Sequence, residues 1–187
     1  METVKADMER IRLDELDRKI LQELQEDARI SNVELADRVG LSPAPCLRRV
    51  RALEEAGVIR KYVTLLDPQA VNLAVTVFVQ VTLNLQVEGR LDTFEDAIRI
   101  RPEVLDCYMM AGEADYLLRV VVPDVAAYER FLKESLTRIE NVASLKSTFA
   151  LKQAKYSTVL PIGAKPKPAD TPASEPSSRR KSWIGRR

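Results

Sequence analysis

At 187 residues, with 45% hydrophobic and 30% charged residues, the chain has the composition of an ordinary globular protein, long enough for one large domain or two small ones. It has no histidine, which excludes Ser-His-Asp and Cys-His catalysis and every histidine metal site. Cys46 and Cys107 are too few for a thiolate zinc site or a disulfide framework, and no paired acid and base stands out, so no catalytic residue, metal or cofactor is assigned.

Residues 1–12 are polar, read as a flexible N-terminus, and carry no secretory signal pattern. Leu13 to Glu26 predicts a first helix, with Asp14 as N-cap, Asp17 three residues on, and Leu16, Ile20, Leu21 and Leu24 on one stripe. Ser31 and Glu34 have the spacing of a capping box and open a second helix that Gly40 closes. Ser42 is the next N-cap and Pro43 sits at the first helical position, where its missing N–H costs nothing. Leu47, Val50 and Leu53 come next at spacings of three, which predicts a shared inward face.

Two short helices around a tight turn occur in many proteins that never meet DNA. Here the small residues Ser42, Pro43, Ala44 and Pro45 let the helix N-terminus approach a phosphate, and Arg48, Arg49 and Arg51 lie just beyond them. From Arg29 to Lys61 seven Lys/Arg stand against four Asp/Glu, an excess of +3 in a chain of net charge +1. Ser42, Pro43, Ala44, Pro45, Arg48, Arg49 and Arg51 are the candidate DNA contacts, with Arg48 and Arg49 foremost for base edges or phosphates. Cys46 is read as a small buried residue beneath the helix, with a redox switch as the minor alternative. Gly57 ends the helix, and Val58 to Leu66 predicts a strand, the wing of a winged helix.

Asp67-Pro68 opens a hinge, residues 67–72, after which the hydrophobic period changes from 3.6 to 2. Val75 to Leu85 alternates apolar and polar as a strand. Val87 to Ile100 predicts a helix, Val104 to Ala111 and Asp115 to Val122 two strands, Val125 to Arg138 a helix, and Val142 to Lys155 a last strand. The order β-α-β-β-α-β is ferredoxin-like, with both helices on one face of an antiparallel sheet. The other face carries apolar residues that a second subunit would cover. Between the second and third strands, Gly112-Glu113-Ala114-Asp115 reads first as a hairpin turn. Its backbone N–H groups are also placed to take a carboxylate and Asp115 an ammonium, which suits a free amino acid.

The segment ISNVELADRVGLSPAPCLRRVRALEEAGVI, with its SP-x-PC-x-x-RV core, resembles the DNA-binding segment of the Lrp/AsnC (leucine-responsive, feast/famine) transcription regulators. GEADYLLRVVVPD resembles their effector domain, and the likeness spans roughly residues 12–160. It implies an α+β chain: a winged helix-turn-helix over 13–66 (core 32–51), then a ferredoxin-like effector-binding and oligomerisation domain over 73–158. It implies double-stranded DNA and an amino-acid effector as partners, homodimers that assemble into tetramers up to hexadecamers, no membrane, and a cytoplasmic, nucleoid-associated protein. By position it places the effector at Met109, Gly112, Asp115, Val125, Thr148, Phe149 and Ala150, between dimers. The strand STFALKQ points to leucine or another branched-chain amino acid; a proline-responsive regulator and a mainly DNA-organising nucleoid protein are the alternatives.

Residues 159–187 are read as a disordered basic tail with Arg179, Arg180, Lys181, Arg186 and Arg187 as candidate nonspecific DNA contacts; a purely solubilising tail is the plainer reading. Trp183 has no explanation in that setting.

Overall fold

The computed structural model describes residues 12–84 and 88–163. Residues 1–11 of the expected flexible start, Leu85 and Val87 of the expected elements, and the expected tail beyond Gly163 with Arg179 to Arg187 lie outside the described residues. The described residues form two compact units, one of residues 12–63 together with residues 158–163, the other Thr64–Ser157.

The first unit holds α1 (Glu15–Glu26), α2 (Asn32–Val39) and α3 (Pro43–Glu55). Asp14 caps α1 with the reciprocal bonds of a capping box: its carboxylate accepts the Asp17 N–H at 2.8 Å and Asp17 accepts the Asp14 N–H at 3.1 Å. Ser31 caps α2 by accepting the Glu34 N–H at 3.2 Å, while the Glu34 carboxylate turns to Arg38 at 2.6 Å. Only the serine half of the expected box is therefore present. Gly40 ends α2 at φ +74°, a left-handed turn where a β-carbon would add strain. Ser42 takes the N-cap backbone conformation of α3 without a side-chain capping bond; Pro45 at the third helical position removes the N–H that closes a capping box.

Ile20, Leu21, Leu35, Ala36, Val39, Cys46 and Leu53 form the core of this unit. Val50 packs against it half-buried, but Leu47 is 37% exposed. The inward face of α3 is thus Cys46, Val50 and Leu53, and the expected Leu47 face is corrected by about one residue's rotation. The strand expected over Val58–Leu66 is absent: the run is irregular, Val58 and Ile59 lean on the core, and Tyr62, Val63, Leu65 and Leu66 are exposed. A strand needs a neighbour to accept its hydrogen bonds, and no neighbouring strand flanks this run among the described residues.

The second unit is a four-stranded antiparallel sheet in the order β2-β3-β1-β4, from β1 (Val75–Leu83), β2 (Val104–Met109), β3 (Tyr116–Val122) and β4 (Val142–Phe149). α4 (Glu88–Arg99) joins β1 to β2, and α5 (Val125–Glu134) joins β3 to β4 through a short 3-10 turn, Leu136–Arg138. Val77, Val79 and Val81 of β1 and Tyr116, Leu118 and Val120 of β3 point to one face. There they pack on Phe94 and Ile98 of α4 and on Tyr128 and Phe131 of α5. Burying each such large apolar side chain contributes roughly 1.5–3 kcal/mol. The opposite face keeps Phe78 and Tyr108 exposed. β4 ends at Phe149 rather than Lys155, since its partner β1 begins at Val75 and the last bond, Ala150 N–H to the Thr76 carbonyl, exhausts it.

Candidate functional site

The outer face of α3 is set by what its inner face holds. Cys46 and Leu53 are buried, so Ala44, Leu47, Arg48, Arg51, Ala52 and Glu55 line one shallow groove on the far side. These positions recur at three and four, the spacing of one helix face. Arg48 and Arg51 are exposed and form no ion pair among the described residues. Asn32 at the start of α2 donates to the Pro43 carbonyl at 2.8 Å, fixing the first turn of α3 against α2.

Arg49 departs from expectation. Its Nη1 lies 2.8 Å from Asp14 Oδ2 and 2.7 Å from Asp17 Oδ1, so it clamps α3 to the first turn of α1 and is withdrawn from the groove-facing set. Both carboxylates raise its already high pKa, Asp17 foremost. Arg38 does the same for α2, bridging Glu23 at 2.9 Å and Glu34 at 2.6 Å. Leu47 was missed as an outward residue. The signal was Cys46, which with Val50 and Leu53 makes a better helical stripe than Leu47 does.

In the second unit the turn between β2 and β3 is closed by the Met110 N–H on the Asp115 carbonyl at 2.8 Å. The Asp115 N–H donates to the Val81 carbonyl at 2.9 Å, and its Oδ2 accepts the Leu83 N–H at 2.7 Å. Asp115 therefore ties the turn to β1 through both its backbone and its carboxylate. A β-carbon on Gly112 would meet nothing within 4 Å, so space over this backbone is open.

The seven candidate effector residues fall into two groups. Met109 pairs with Tyr116, which pairs with Val81, so Met109, Gly112 and Asp115 lie at one end of the sheet beside edge strand β2. Phe149 pairs with Val77 on the opposite edge, four residues further along β1, or about 13 Å. Thr148 and Ala150 flank it, and Val125 lies just past the end of β3 at the same end of the sheet. Phe149 meets Tyr128 edge-on with ring centroids 5.4 Å apart. One chain does not bring the two groups together.

A model of the Lrp/AsnC ligand-binding domain matches residues 76–160, and a winged helix-turn-helix DNA-binding model matches residues 13–60. The leucine-responsive regulatory protein of Escherichia coli K12 is 44% identical over 150 residues, covering 80% of this chain and 92% of that protein. The chain belongs to the Lrp/AsnC family. Among solved members, a transcriptional regulator from Neisseria meningitidis in complex with L-methionine superposes with a TM-score of 0.78 at 43% identity, over 81% of this chain and 98% of that one. An AsnC-family regulator from Agrobacterium tumefaciens gives 0.76 at 49% identity, over 80% and 97%. As an Lrp/AsnC transcription regulator, the chain joins a winged helix-turn-helix DNA-binding domain to an α+β ligand-binding domain. Among the described residues no helix is long and apolar enough to cross a membrane.

Proposed function

We propose that this regulator is switched by an apolar α-amino acid, leucine or another branched-chain residue first, bound where two copies of the chain meet. The observation that carries this reading is the division of the candidate effector residues. Met109, Gly112 and Asp115 sit at one end of the sheet, and Val125, Thr148, Phe149 and Ala150 at the other. A site that uses both groups requires the turn of one copy beside the β4 end of another. The leucine-responsive name of the relatives and the L-methionine of the Neisseria regulator both support an aliphatic amino acid. The exposed Phe78 and Tyr108 on the helix-free face support a homodimer that assembles further. DNA is contacted by Ser42, Pro43, Ala44, Pro45, Arg48 and Arg51, with Leu47 added and Arg49 acting from behind the helix. The regulator works in the cytoplasm on nucleoid DNA.

The test is thermal stability against a panel of amino acids, since a ligand that binds only the folded state raises the melting temperature by mass action. A rise with leucine, isoleucine, valine or methionine that disappears in Met109→Ala supports the reading. A rise with proline alone keeps the site and changes the effector. No rise with any amino acid overturns the effector reading in favour of a DNA-organising protein.

A further inference from the structure

β4 is an edge strand, hydrogen-bonded to β1, and Phe149 is its last residue. Side chains alternate along a strand, so Ser147 and Phe149 share one face while Thr148 and Ala150 take the other. Ser147 pairs with Val79 and Phe149 with Val77, two buried residues of the helix-covered face, whereas Thr148 pairs with Phe78 on the helix-free face. Of the three candidate effector residues at this end of β4, Phe149 is the one on the side where α5 carries Val125.

The end of an edge strand frays readily, because no further strand holds it. Tyr128 of α5 supplies a hold. Its ring meets the Phe149 ring edge-on, with centroids 5.4 Å apart and planes at 79°, an attractive geometry for two aromatic rings. Its hydroxyl shares a hydrogen bond of 2.5 Å with the Ser147 hydroxyl. One side chain thus grips two successive residues of the same face of β4. Tyr128 is itself fixed: it is buried, and its N–H donates to the Asp124 carbonyl at 3.1 Å. Asp124 in turn caps α5 by accepting the Ala127 N–H at 2.6 Å. Tyr128 also stands between two exposed apolar side chains. Phe149, 41% exposed, lies against its ring, and Val125, 60% exposed, lies one turn back on the same helix face.

We propose, resting on the effector reading above, that Tyr128 is a positioning residue of the effector site. It holds the Phe149 ring, beside Val125, as a preformed wall against which the side chain of an aliphatic amino acid packs. Tyr128 acts through Phe149 and Ser147 and not by touching the ligand. A wall already fixed needs no ordering when the ligand arrives, so the grip on Phe149 is expressed as affinity.

The experiment titrates the full chain calorimetrically with leucine, isoleucine, valine and methionine in turn. Melting without amino acid gives each variant's own stability. Tyr128→Phe and Ser147→Ala each remove the shared hydrogen bond and keep the ring pair. Each should weaken binding of the tightest of the four amino acids about threefold to tenfold, the range of one hydrogen bond. The double variant should lose no more than either single one, because both act on one bond. Ser147→Thr keeps the hydroxyl and should bind as the parent does. Phe149→Ala removes the wall itself and should weaken binding about tenfold or more. Parent affinity in Tyr128→Phe or in Phe149→Ala overturns the positioning role, as does a lowered melting temperature with affinity unchanged. Losses that add in the double variant overturn it too. A parent chain that binds none of the four amino acids removes the effector reading, and the positioning role with it.

Discussion

Arg49 on α3 places its Nη1 2.7 Å from Oδ1 of Asp17 on α1, a carboxylate whose side chain is only 16% exposed. The two arginines adjacent in sequence, Arg48 and Arg49, consequently do different work, one facing out and one holding the helix in place. Arg48→Ala should weaken duplex binding about tenfold and leave the melting temperature unchanged. Arg49→Ala should instead lower stability by about 1 kcal/mol, at the upper end for a partly exposed pair. Fluorescence anisotropy on labelled duplex and thermal melts separate the two. A stable Arg49→Ala protein that loses DNA binding outright would put Arg49 in the groove.

Asp14 gives this unit an acid limit. The Asp17 N–H it accepts, and then Arg49 beside it, hold its carboxyl below the ordinary 3.8. A group whose folded pKa is depressed stabilises the fold above its unfolded pKa and loses that contribution as pH falls through the folded value. The stabilisation is therefore complete at neutral pH and fades below about pH 4. Asp14→Asn keeps an N-cap acceptor without the charge. Urea unfolding of this variant should show a shallower loss of stability on acidification than the parent. An identical acid slope would assign it to other carboxylates.

The cysteines should differ in chemistry. Cys46 is fully buried beneath α3 and burial pushes its thiol up. Cys107 is exposed on edge strand β2, where the part of its surroundings that shields the sulfur first, and the Glu95 carboxylate second, push the thiol up to about 11. At pH 8 that leaves a thiolate fraction on the order of one in a thousand, against roughly a quarter for a free thiol. A thiol-reactive disulfide reagent should modify Cys107 about a hundredfold slower than free cysteine, and Cys46 only on unfolding. Rapid modification of Cys46 in the folded protein would revive the redox switch.

Self-association should depend on the helix-free face of the sheet. Phe78 at its centre is 39% exposed and Tyr108 58% exposed. Phe78→Arg sets an unpaired charge where a second copy would dock, which costs several kcal/mol in an apolar interface. Sedimentation velocity should show a shift to smaller species, with the circular dichroism spectrum preserved. Unchanged sedimentation would move the interface elsewhere.

The fold was legible because its signals are local. Alternation from Val75 to Leu83 marks β1, and caps at Asp14 and Ser31 with Gly40 at φ +74° mark the helix ends. Illegible features depended on distant partners. Arg49 looks like a surface arginine until Asp14, 35 positions away, is beside it. Val58 to Leu66 has the composition of a strand, but no neighbouring strand flanks it among the described residues. Met109 and Phe149 were assigned together by resemblance, yet the register separates them within one chain. Gln25 and Leu160 are 135 positions apart, and neither residue type hints at the other.

That last pairing makes the ligand-binding unit an insertion inside the DNA-binding one, entered near Thr64 and left near Ser157. Recombining sensors among such regulators therefore takes two junctions. A one-junction swap after Val63 would exchange Ile162 and Leu160 along with the sensor and leave α1 facing a foreign segment. Hybrids that keep residues 158–163 with their own α1 should retain a fully packed DNA-binding unit whichever sensor they carry.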